Sequence, residues 1–514
     1  MRLALTLCMC LASAGLAAAQ QAMLPGGLQT GPHAVGFRVI TVSDPSRPVG
    51  PKPRNGAATT DRARPLRLHV WYPAAASSGE TLTIGDYIRA SEPVAGRTEF
   101  AAQHRQAVPR SLAVPFTDED WARYTALRLT ARQDATPASG QFPLLVGVLR
   151  EVSVALMSEY FASHGYVVAF VQPPASEQIA AEGLVLEALV IGQHVRDMEF
   201  AIPRLRSEPG VDPLRLGAVG FSGSGLAQLV LAMRHPDVDA VSQLETGYFA
   251  PVGTSSYQEV TAYDTTALRV PMFFAYSESL GRNTDMQMAE IDRMRYAQRH
   301  LLYLGEPRMG HWDFATEGIA AIELGKRTDA KAGVLRAFNA IHKYHLAFFD
   351  TFVKRDAAAA ARLSEPPPSG GGALIESRPL PAVVPAMTRR EFRGLLGSDA
   401  PRAFALAREG LARDPQAAVF EEAWLNAVGY ELMQAGQRPL GLDVFRLNVE
   451  AHPSSANAAD SLSEALEEAG QRAPALEWAE KALKLLPADR TVPAAQRDGL
   501  QKALEARITR LRPR

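Results

Sequence analysis

One serine in this sequence stands in a setting that can turn its hydroxyl into a nucleophile. Ser222 lies in the run GFSGSG at 220–225, which follows the apolar stretch 214–221 and precedes the apolar stretch 225–233. Small residues around a serine permit the tight strand-to-helix turn that exposes the hydroxyl at the start of a helix. There the helix dipole and the N–H of Gly223 can stabilise an oxyanion. The run therefore predicts Ser222 as the nucleophile of an acyl transfer.

The same run departs from the usual G-x-S-x-G spacing. Ser224 replaces the last glycine, and Gly225 follows it. Serine is small enough for the turn, and Ser224 is itself a rival nucleophile, although no glycine stands two residues before it. A plain Gly/Ser turn between a core strand and a core helix is the alternative interpretation. The flanking strand and helix patterns favour a nucleophile turn.

A serine hydroxyl is a weak nucleophile unless a general base takes its proton. At turns of this kind the histidine follows both the serine and the acid along the chain. His311 lies in MGHWDF at 309–314, in a loop after the strand-like stretch 301–304, and we predict it as the base. The other histidines considered stand at a helix end, before that strand, or on a later helix: His164, His300, His342 and His345.

Three carboxylates follow predicted strands between the serine and the histidine. Glu245 ends the strand Ala240–Leu244, Glu278 follows the strand at 270–276, and Asp285 lies further along that loop. Each could orient the histidine ring and stabilise its protonated form. A solvated loop carboxylate is the alternative for all three, and position alone leaves Glu245 and Glu278 open.

These residues need a framework, and the chain from residue 142 onward alternates strand and helix patterns. Such alternation predicts an α/β fold with a mostly parallel sheet covered by helices on both faces. The predicted strands are 66–72, 142–148, 166–171, 214–221, 240–244 and 270–276, and the predicted helices are 153–163, 187–205, 225–233 and 334–353. Residues 20–64 are expected to be loop-like. Residues 75–140 are expected to be irregular, with a short helix near 99–106.

A second domain is predicted after a Pro/Gly-rich linker at 361–385. Helical patterns dominate 386–514, and AGQR at 435–438 returns at 469–472, a shift of 34 (470 − 436). Pro453 returns as Pro487 at the same shift. A period of this length is typical of tetratricopeptide repeats, which are pairs of helices. An ordinary helical bundle with a chance match is the alternative.

The N-terminus has the pattern of a secretory signal peptide at 1–19. Arg2 precedes an almost wholly apolar run at 3–16, and three alanines follow at 17–19. We expect cleavage after Ala19, and hence a secreted or periplasmic protein. The apolar run is shorter than the roughly 20 residues that span a bilayer. No later stretch reaches that length, so no transmembrane segment is expected in the mature chain.

Composition narrows the function classes. The 514 residues are 47% hydrophobic and 21% charged, with a formal net charge of -1, which is typical of a globular protein without nucleic-acid affinity. Both cysteines, Cys8 and Cys10, lie in the predicted signal peptide. The mature chain would therefore offer no disulfide, thiolate nucleophile or cysteine-bound metal. We expect neither a cofactor nor a metal.

Four segments resemble the bacterial relatives of platelet-activating-factor acetylhydrolase, which are grouped with dienelactone-hydrolase-like proteins. They are RPLRLHVWYPA at 64–74, ASHGYVVA at 162–169, GAVGFSGSG at 217–225 and GHWDF at 310–314. The similarity covers about 30–355 and implies an α/β-hydrolase domain at 20–360. It also implies Ser222 as nucleophile where dienelactone hydrolases use cysteine.

The resemblance further implies an acid about two dozen positions after the nucleophile. Glu245 meets this spacing, at a separation of 23 (245 − 222), where the family usually has Asp, so the resemblance favours it over Glu278. It implies a second oxyanion donor after strand 142–148, from the backbone N–H of Leu149 or Arg150, where family members usually have a glycine. The tail, over about 395–490, is similar to the repeat module fused to bacterial serine hydrolases.

The sequence thus predicts a carboxylic-ester hydrolase acting on a small-molecule ester, with a short acyl group as the family expectation. Ser222 attacks, His311 carries the proton, and the N–H groups of Gly223 and Leu149 hold the oxyanion. Two alternatives stay open. One is a serine peptidase or amidase with the same residues, and the other is a hydrolase-fold binding protein whose catalytic site is inactive. A protein partner, if there is one, is expected at the C-terminal repeats.

Overall fold

The structure, a computed structural model, describes residues 23–48, 63–76, 78–92, 99–148, 151–174, 188–246, 260, 263–278, 284–306, 309–328, 331–367 and 374–513. The predicted signal peptide lies outside the described residues. The chain forms two compact units, Met1–Ala382 and Val383–Arg514.

A ten-stranded sheet runs through the described part of the first unit. A separate hairpin pairs β1 (Met23–Leu24) with β2 (Leu28–Gln29). The strands of the large sheet are β3 (Ala34–Pro48), β4 (Ala63–Ala74), β5 (Arg132–Gln133), β6 (Phe142–Val148), β7 (Val167–Gln172), β8 (Val211–Phe221), β9 (Ala240–Leu244), β10 (Met272–Ser277), β11 (Arg299–Glu306) and β12 (Leu374–Leu380). Their spatial order is β12-β11-β10-β9-β8-β6-β7-β4-β3-β5.

The central strands of this sheet, from β11 across to β7, are parallel to one another. Antiparallel pairings flank them, between β11 and β12 and between β7, β4 and β3. Strand β6 lies between β7 and β8, so the chain order reverses there. Open α/β sheets bind ligands beyond the carboxyl ends of the strands at such a reversal. The predicted α/β fold with a mostly parallel sheet is confirmed.

Helices cover both faces of the sheet. They are α1 (Ile84–Ala90), α2 (Glu99–Leu112), α3 (Asp118–Ala126), α4 (Glu151–Ser163), α5 (Ala188–Arg206), α6 (Gly225–Arg234), α7 (Thr284–Arg293), α8 (Thr316–Glu323), α9 (Lys331–Phe352) and α10 (Ala357–Ser364). One apolar cluster joins Leu145 and Phe273 to α4 and α9, and another joins their neighbours Leu144 and Met272 to α5 and α6. Successive residues of a strand point to opposite faces, so each of the parallel strands from β11 to β7 contributes to both clusters.

Two segments expected to lack regular structure contain it. Strand β3 lies in the region expected to be loop-like, where its buried Val35 and Phe37 pack into the core. The region expected to be irregular contains α1 and α3, in addition to α2, which begins at Glu99 where a short helix was expected. Capping boxes begin α1 at Thr83 and α3 at Thr117, and this S/T-x-x-D/E signal is visible in the sequence. The many Gly, Pro and Arg residues obscured these weaker patterns.

The predicted linker at 361–385 also needs correction, because β12 lies inside it. This strand pairs antiparallel with β11 and forms one edge of the sheet, with Leu380 opposite Arg299. Its residues are mostly exposed, as edge strands commonly are, and it includes Pro379. An exposed strand with a proline has too little apolar alternation to be recognised without its partner.

The second unit is all-helical in its described part, as predicted. Its helices are α11 (Arg389–Ser398), α12 (Ala400–Arg413), α13 (Glu422–Gln434), α14 (Arg438–Ala451), α15 (Ala456–Glu468), α16 (Arg472–Leu485) and α17 (Ala494–Leu511). The starts of the pair α15/α16 follow those of the pair α13/α14 at the shift found in the sequence (456 − 422 and 472 − 438). Gly436 and Gly470 turn each pair with the same φ of 76°.

Close packing within the first of these pairs depends on a glycine. A side chain at Gly429 would lie 2.6 Å from the ring of Phe445, which faces it from α14. The identity of these pairs as tetratricopeptide repeats stays a prediction. None of the described helices of either unit combines the length and the apolar character needed to cross a membrane.

Candidate active site

The predicted nucleophile stands at the end of β8, at the carboxyl edge of the sheet. Ser222 has a φ of 57°, in the left-handed region that residues other than glycine rarely adopt. A short turn at Ser222–Ser224 leads directly into α6. Backbone strain of this kind persists only where the surrounding structure imposes it, and it is concentrated at functional sites. The Ser222 side chain is half-buried and remains open to a ligand.

Two glycines make the turn possible. A Cβ at Gly220 would lie 2.6 Å from the Cα of Gly225, so both ends of the turn approach each other closely. A Cβ at Gly225 would lie 2.2 Å from Oγ1 of Thr246 and 2.3 Å from Oε1 of Gln243. Gly225 therefore supplies the close approach to the neighbouring strand. The serine at 224 is tolerated because the required glycine stands one position later.

The rival serine has a different environment. The hydroxyl of Ser224 donates to the carbonyl oxygen of Phe221 at 2.8 Å and so closes the turn behind the nucleophile. The hydroxyl that reaches the predicted base belongs to Ser222.

The predicted base meets the predicted nucleophile. Nε2 of His311 lies 2.8 Å from Oγ of Ser222, within hydrogen-bond distance. His311 begins a short turn, His311–Phe314, in the loop between β11 and α8. Its ring stacks on Phe221, with centroids 5.2 Å apart and planes 22° apart, and Trp312 packs edge-on at 5.6 Å. Two apolar rings thus cover part of the imidazole, and His311 is half-buried.

Burial determines the protonation state of this ring. Desolvation lowers the pKa of His311 from 6.5 to about 4, because a charged imidazolium loses its hydration inside the protein. At neutral pH the ring is therefore neutral. With the serine hydroxyl donating to Nε2, the ring carries its own proton on Nδ1, and Nε2 can accept a second one.

The first acid candidate lies level with the nucleophile but holds another partner. Leu244 pairs with Phe221 across β9 and β8, so Glu245 leaves its strand beside Ser222, with a φ of 47°. Glu245 is only 1% exposed. Its carboxylate accepts hydrogen bonds from the backbone N–H of Ser277 at 2.8 Å and from the Ser277 hydroxyl at 2.6 Å.

The other candidates lie after β10. Glu278 is exposed, and its backbone N–H donates to the carbonyl of Leu304 at 3.1 Å. Asp285 belongs to α7, and its side chain lies outside the description. Within the described residues neither Glu245 nor Glu278 hydrogen-bonds to the His311 ring. The identity of the acid therefore stays a prediction.

The structure describes one of the predicted oxyanion donors, Gly223. Gly223 lies in the turn that opens α6, where backbone N–H groups have no acceptor further back in the helix. Leu149 and Arg150 lie outside the described residues. Before them, the carbonyl of Val148 at the end of β6 accepts a hydrogen bond from Nε2 of Gln228 at 3.4 Å. Gln228 lies on α6, so the helix that follows Ser222 contacts β6, the strand that precedes the second predicted donor, Leu149.

Three other histidines considered as the base pack within or at the ends of helices. His342 and His345 are fully buried on α9, where Nε2 of His345 lies 2.6 Å from Oγ of Ser242. His164 contacts the carbonyl of Tyr160 through Nδ1 at 2.8 Å, at the end of α4. Among the described residues, no group of three or more His, Cys, Asp or Glu side chains is arranged to hold a metal ion.

Sequence reasoning missed three features around this site. Ser277 holds the Glu245 carboxylate, Gly225 provides the second close approach of the turn, and Asp313 closes the loop that carries His311. The pattern Gly310-x-x-Asp313 is a turn signal that was available in the sequence. The contact between Glu245 and Ser277 joins two segments far apart in the chain and has no local signal.

Comparison with known proteins finds a distant structural similarity and no match in sequence. No protein-family model matches this chain, and no curated protein matches it. Among solved structures, a ferulic acid esterase from Streptomyces cinnamoneus is similar, with 20% sequence identity and a TM-score of 0.44. The similarity covers 65% of this chain and 93% of that chain. At this identity and TM-score the similarity carries no conclusion about the fold or the chemistry of this chain.

The glycine at the end of the turn can be tested by its steric demand. We expect Gly225→Ala to lower the free energy of unfolding by about 1–3 kcal/mol, because the added methyl overpacks a site without space. Urea unfolding measures this. Gly192→Ala is the matched control, since α5 offers a methyl there open space within 4 Å, and alanine favours the helix by up to about 1 kcal/mol. Equal losses in both variants would contradict the packing of Gly225 described here.

Proposed function

We propose that this protein is a serine hydrolase that cleaves carboxylic esters through an acyl-Ser222 intermediate. The observation that carries the proposal is the 2.8 Å hydrogen bond between Oγ of Ser222 and Nε2 of His311. The left-handed φ of Ser222 at a strand-to-helix turn supports it, because this geometry exposes the hydroxyl at the start of a helix.

The proposed chemistry follows from these positions. Oγ of Ser222 attacks the carbonyl carbon while Nε2 of His311 takes the hydroxyl proton. The N–H of Gly223, and we propose that of Leu149, stabilise the oxyanion of the tetrahedral intermediate. His311 then gives its proton to the departing alcohol, which leaves an acyl-serine. A water molecule repeats the sequence and releases the acid.

We assign the acid to Glu245, as the carboxylate that stabilises the imidazolium. It leaves β9 beside the nucleophile, it is buried, and the resemblance of the sequence to acetylhydrolase relatives implies an acid at this position. Its contacts with Ser277 hold the carboxylate in one orientation in the structure. Glu278, being exposed, would exert a weaker electrostatic effect because water screens it.

The substrate class and cellular setting rest on the sequence. We propose a small-molecule ester with a short acyl group, as the resemblance implies. The predicted signal peptide supports a secreted or periplasmic protein. The helix pairs that recur at the shift found in the sequence support a tetratricopeptide-repeat-like module, and we propose that a protein partner binds there.

Covalent labelling tests the nucleophile without knowledge of the substrate. We expect a fluorophosphonate to label the purified protein on the peptide that contains Ser222, as mapped by mass spectrometry, and Ser222→Ala to abolish the label. His311→Ala should slow labelling by about 10²–10⁴-fold because the general base is lost. Ser224→Ala is the matched control and should be labelled readily. A folded protein that takes no label on Ser222 would favour the binding-protein alternative. Esters and matched anilides then separate esterase from amidase.

The acid is tested by a pair of isosteric variants. Because a buried carboxylate stabilises the imidazolium, we expect Glu245→Gln to lower kcat by about 10²–10⁴-fold on an ester substrate. Glu278→Gln should leave kcat nearly unchanged. Glu245→Asp introduces the residue usual in the family and should keep more activity than the glutamine variant. A large loss in Glu278→Gln alone would transfer the role to Glu278.

The pH dependence follows from the buried base. Only neutral His311 can take the proton, and its pKa is lowered to about 4, so kcat/KM should stay level from about pH 8 to 5 and halve near pH 4. An exposed imidazole would give a midpoint near 6.5. Circular dichroism at each pH checks that the protein stays folded. A midpoint at or above the ordinary histidine value would contradict the desolvation of the His311 ring described here.

A further inference from the structure

The loop that carries His311 is closed by a buried carboxylate. Asp313 is fully buried, and its Oδ2 accepts a hydrogen bond from the N–H of Gly310 at 2.8 Å. Its own N–H donates to the carbonyl of Gly310 at 3.0 Å. The two residues on either side of His311–Trp312 are thereby joined in both directions. His311 lies within a closed turn whose shape depends on one carboxylate.

A cation outside the turn holds the same carboxylate. Nη1 of Arg327 donates to Oδ1 of Asp313, and the Arg327 side chain is 22% exposed. Arg327 follows α8, and the turn precedes α8, so this ion pair joins the two ends of the helix. Hydrogen bonds between ionised groups are about twice as strong as neutral ones.

Helix α8 also presses on the turn from the other side. A Cβ at Gly318 would lie 2.2 Å from the carbonyl oxygen of Trp312 and 2.9 Å from the Cα of Asp313. The first turn of α8 therefore packs directly against the backbone that carries the base. The turn is confined between this helix and the ion pair.

The ring itself has few directional contacts. Phe221 and Trp312 contact it through apolar faces and edges, which permit sliding, and its hydrogen bond runs to Ser222. Within the described residues, Nδ1 of the ring donates no hydrogen bond to a carboxylate. In the structure the orientation of the imidazole therefore depends largely on the backbone of the turn, and Asp313 holds the conformation of that backbone.

We propose that Asp313, held by Arg327, is a positioning residue that keeps Nε2 of His311 on the hydroxyl of Ser222. This inference rests on the proposed function. Asp313 acts through the backbone of the turn and not by touching the reacting atoms. A displacement of about 1 Å at a catalytic group can cost about 10²-fold in rate, so a loosened turn has a measurable effect.

The chain offers a matched control next to Arg327. Lys326 makes an ion pair with Asp120 of α3, and Asp120 caps that helix through Thr117. Both cations follow α8 and both bind a carboxylate, but the carboxylate of Lys326 lies outside the turn of His311. Lys326→Met removes an ion pair from the same segment without loosening the turn that carries His311.

The experiment measures fluorophosphonate labelling of the full-length protein in two quantities. The endpoint gives the fraction of molecules with a competent site, and the second-order rate constant reports how well the base is placed. The variants are Asp313→Asn, Arg327→Met, Arg327→Lys and Lys326→Met. We expect Asp313→Asn and Arg327→Met to keep the endpoint and to lower the rate constant about 10–100-fold. Arg327→Lys should recover part of the rate.

The outcomes separate positioning from mere stabilisation. A lowered endpoint with an unchanged rate constant per labelled site would mean that Asp313 only maintains the fold, and would overturn the proposal. The proposal also fails if Asp313→Asn keeps the full rate constant, or if Lys326→Met loses as much as Arg327→Met. Ser222→Ala is the parallel control for the proposed function, because it must abolish the label whatever Asp313 does.

A second readout needs no reactivity. In protein with ¹⁵N-labelled histidine, the Nε2 signal of His311, assigned by its loss in His311→Ala, should shift when Ser222→Ala removes its hydrogen-bond partner. In the Asp313→Asn background the signal should already lie near the unbonded value, and Ser222→Ala should change it little. An unchanged hydrogen-bonded signal in Asp313→Asn would overturn the proposal even if the protein proves to have no hydrolase activity.

Discussion

The hydrogen bond between Oγ of Ser222 and Nε2 of His311 is the contact on which the rest of the site depends. The two residues are 89 positions apart in the chain, and each is carried by a connection that leaves the same edge of the sheet. The serine comes from the turn after β8 and the histidine from the loop after β11. Without this contact Ser222 would be an ordinary alcohol on a strained turn, since serine needs an adjacent base to become nucleophilic.

The partial burial of His311 keeps its ring neutral, and it also creates a need for a charge that stabilises the imidazolium. The rings of Phe221 and Trp312 cover part of the half-buried His311, and the lowered pKa keeps the ring neutral and able to accept a proton. The same burial makes the imidazolium formed during reaction costly unless a carboxylate compensates it. Glu245 lies at the right level of the sheet, with its carboxylate held by Ser277. A site of this kind has a base that can accept a proton but whose ring must be held firmly in place. We propose that the turn closed by Asp313 holds the ring.

Sequence patterns predicted the elements around the nucleophile closely. Strands β6 and β9 have the bounds expected from the sequence, because each is a short apolar run in the middle of a parallel sheet. Strands β3 and β12 and the helices α1 and α3 were missed, whereas the short helix expected near 99–106 is present as α2. The missed elements lie at or near sheet edges or are short, so their stability comes from partners distant in sequence rather than from local patterns. The capping boxes of α1 and α3 were the one local signal that was available.

The sequence by itself determined what short-range geometry governs: the GFSGSG turn with its strand and helix, the alternation that makes an α/β sheet, and the recurrence in the helical tail. The register of β8 against β9 was decided only in the tertiary structure, and this register brings Glu245 level with Ser222. The sequence predicted His311 as the base for Ser222, but the 2.8 Å distance between their atoms follows only from the tertiary structure. The packing of distant segments brings Glu245 into hydrogen-bond contact with Ser277 and Arg327 into an ion pair with Asp313. Turns follow from the conformational limits of neighbouring residues, whereas these pairings follow from how whole strands and helices pack.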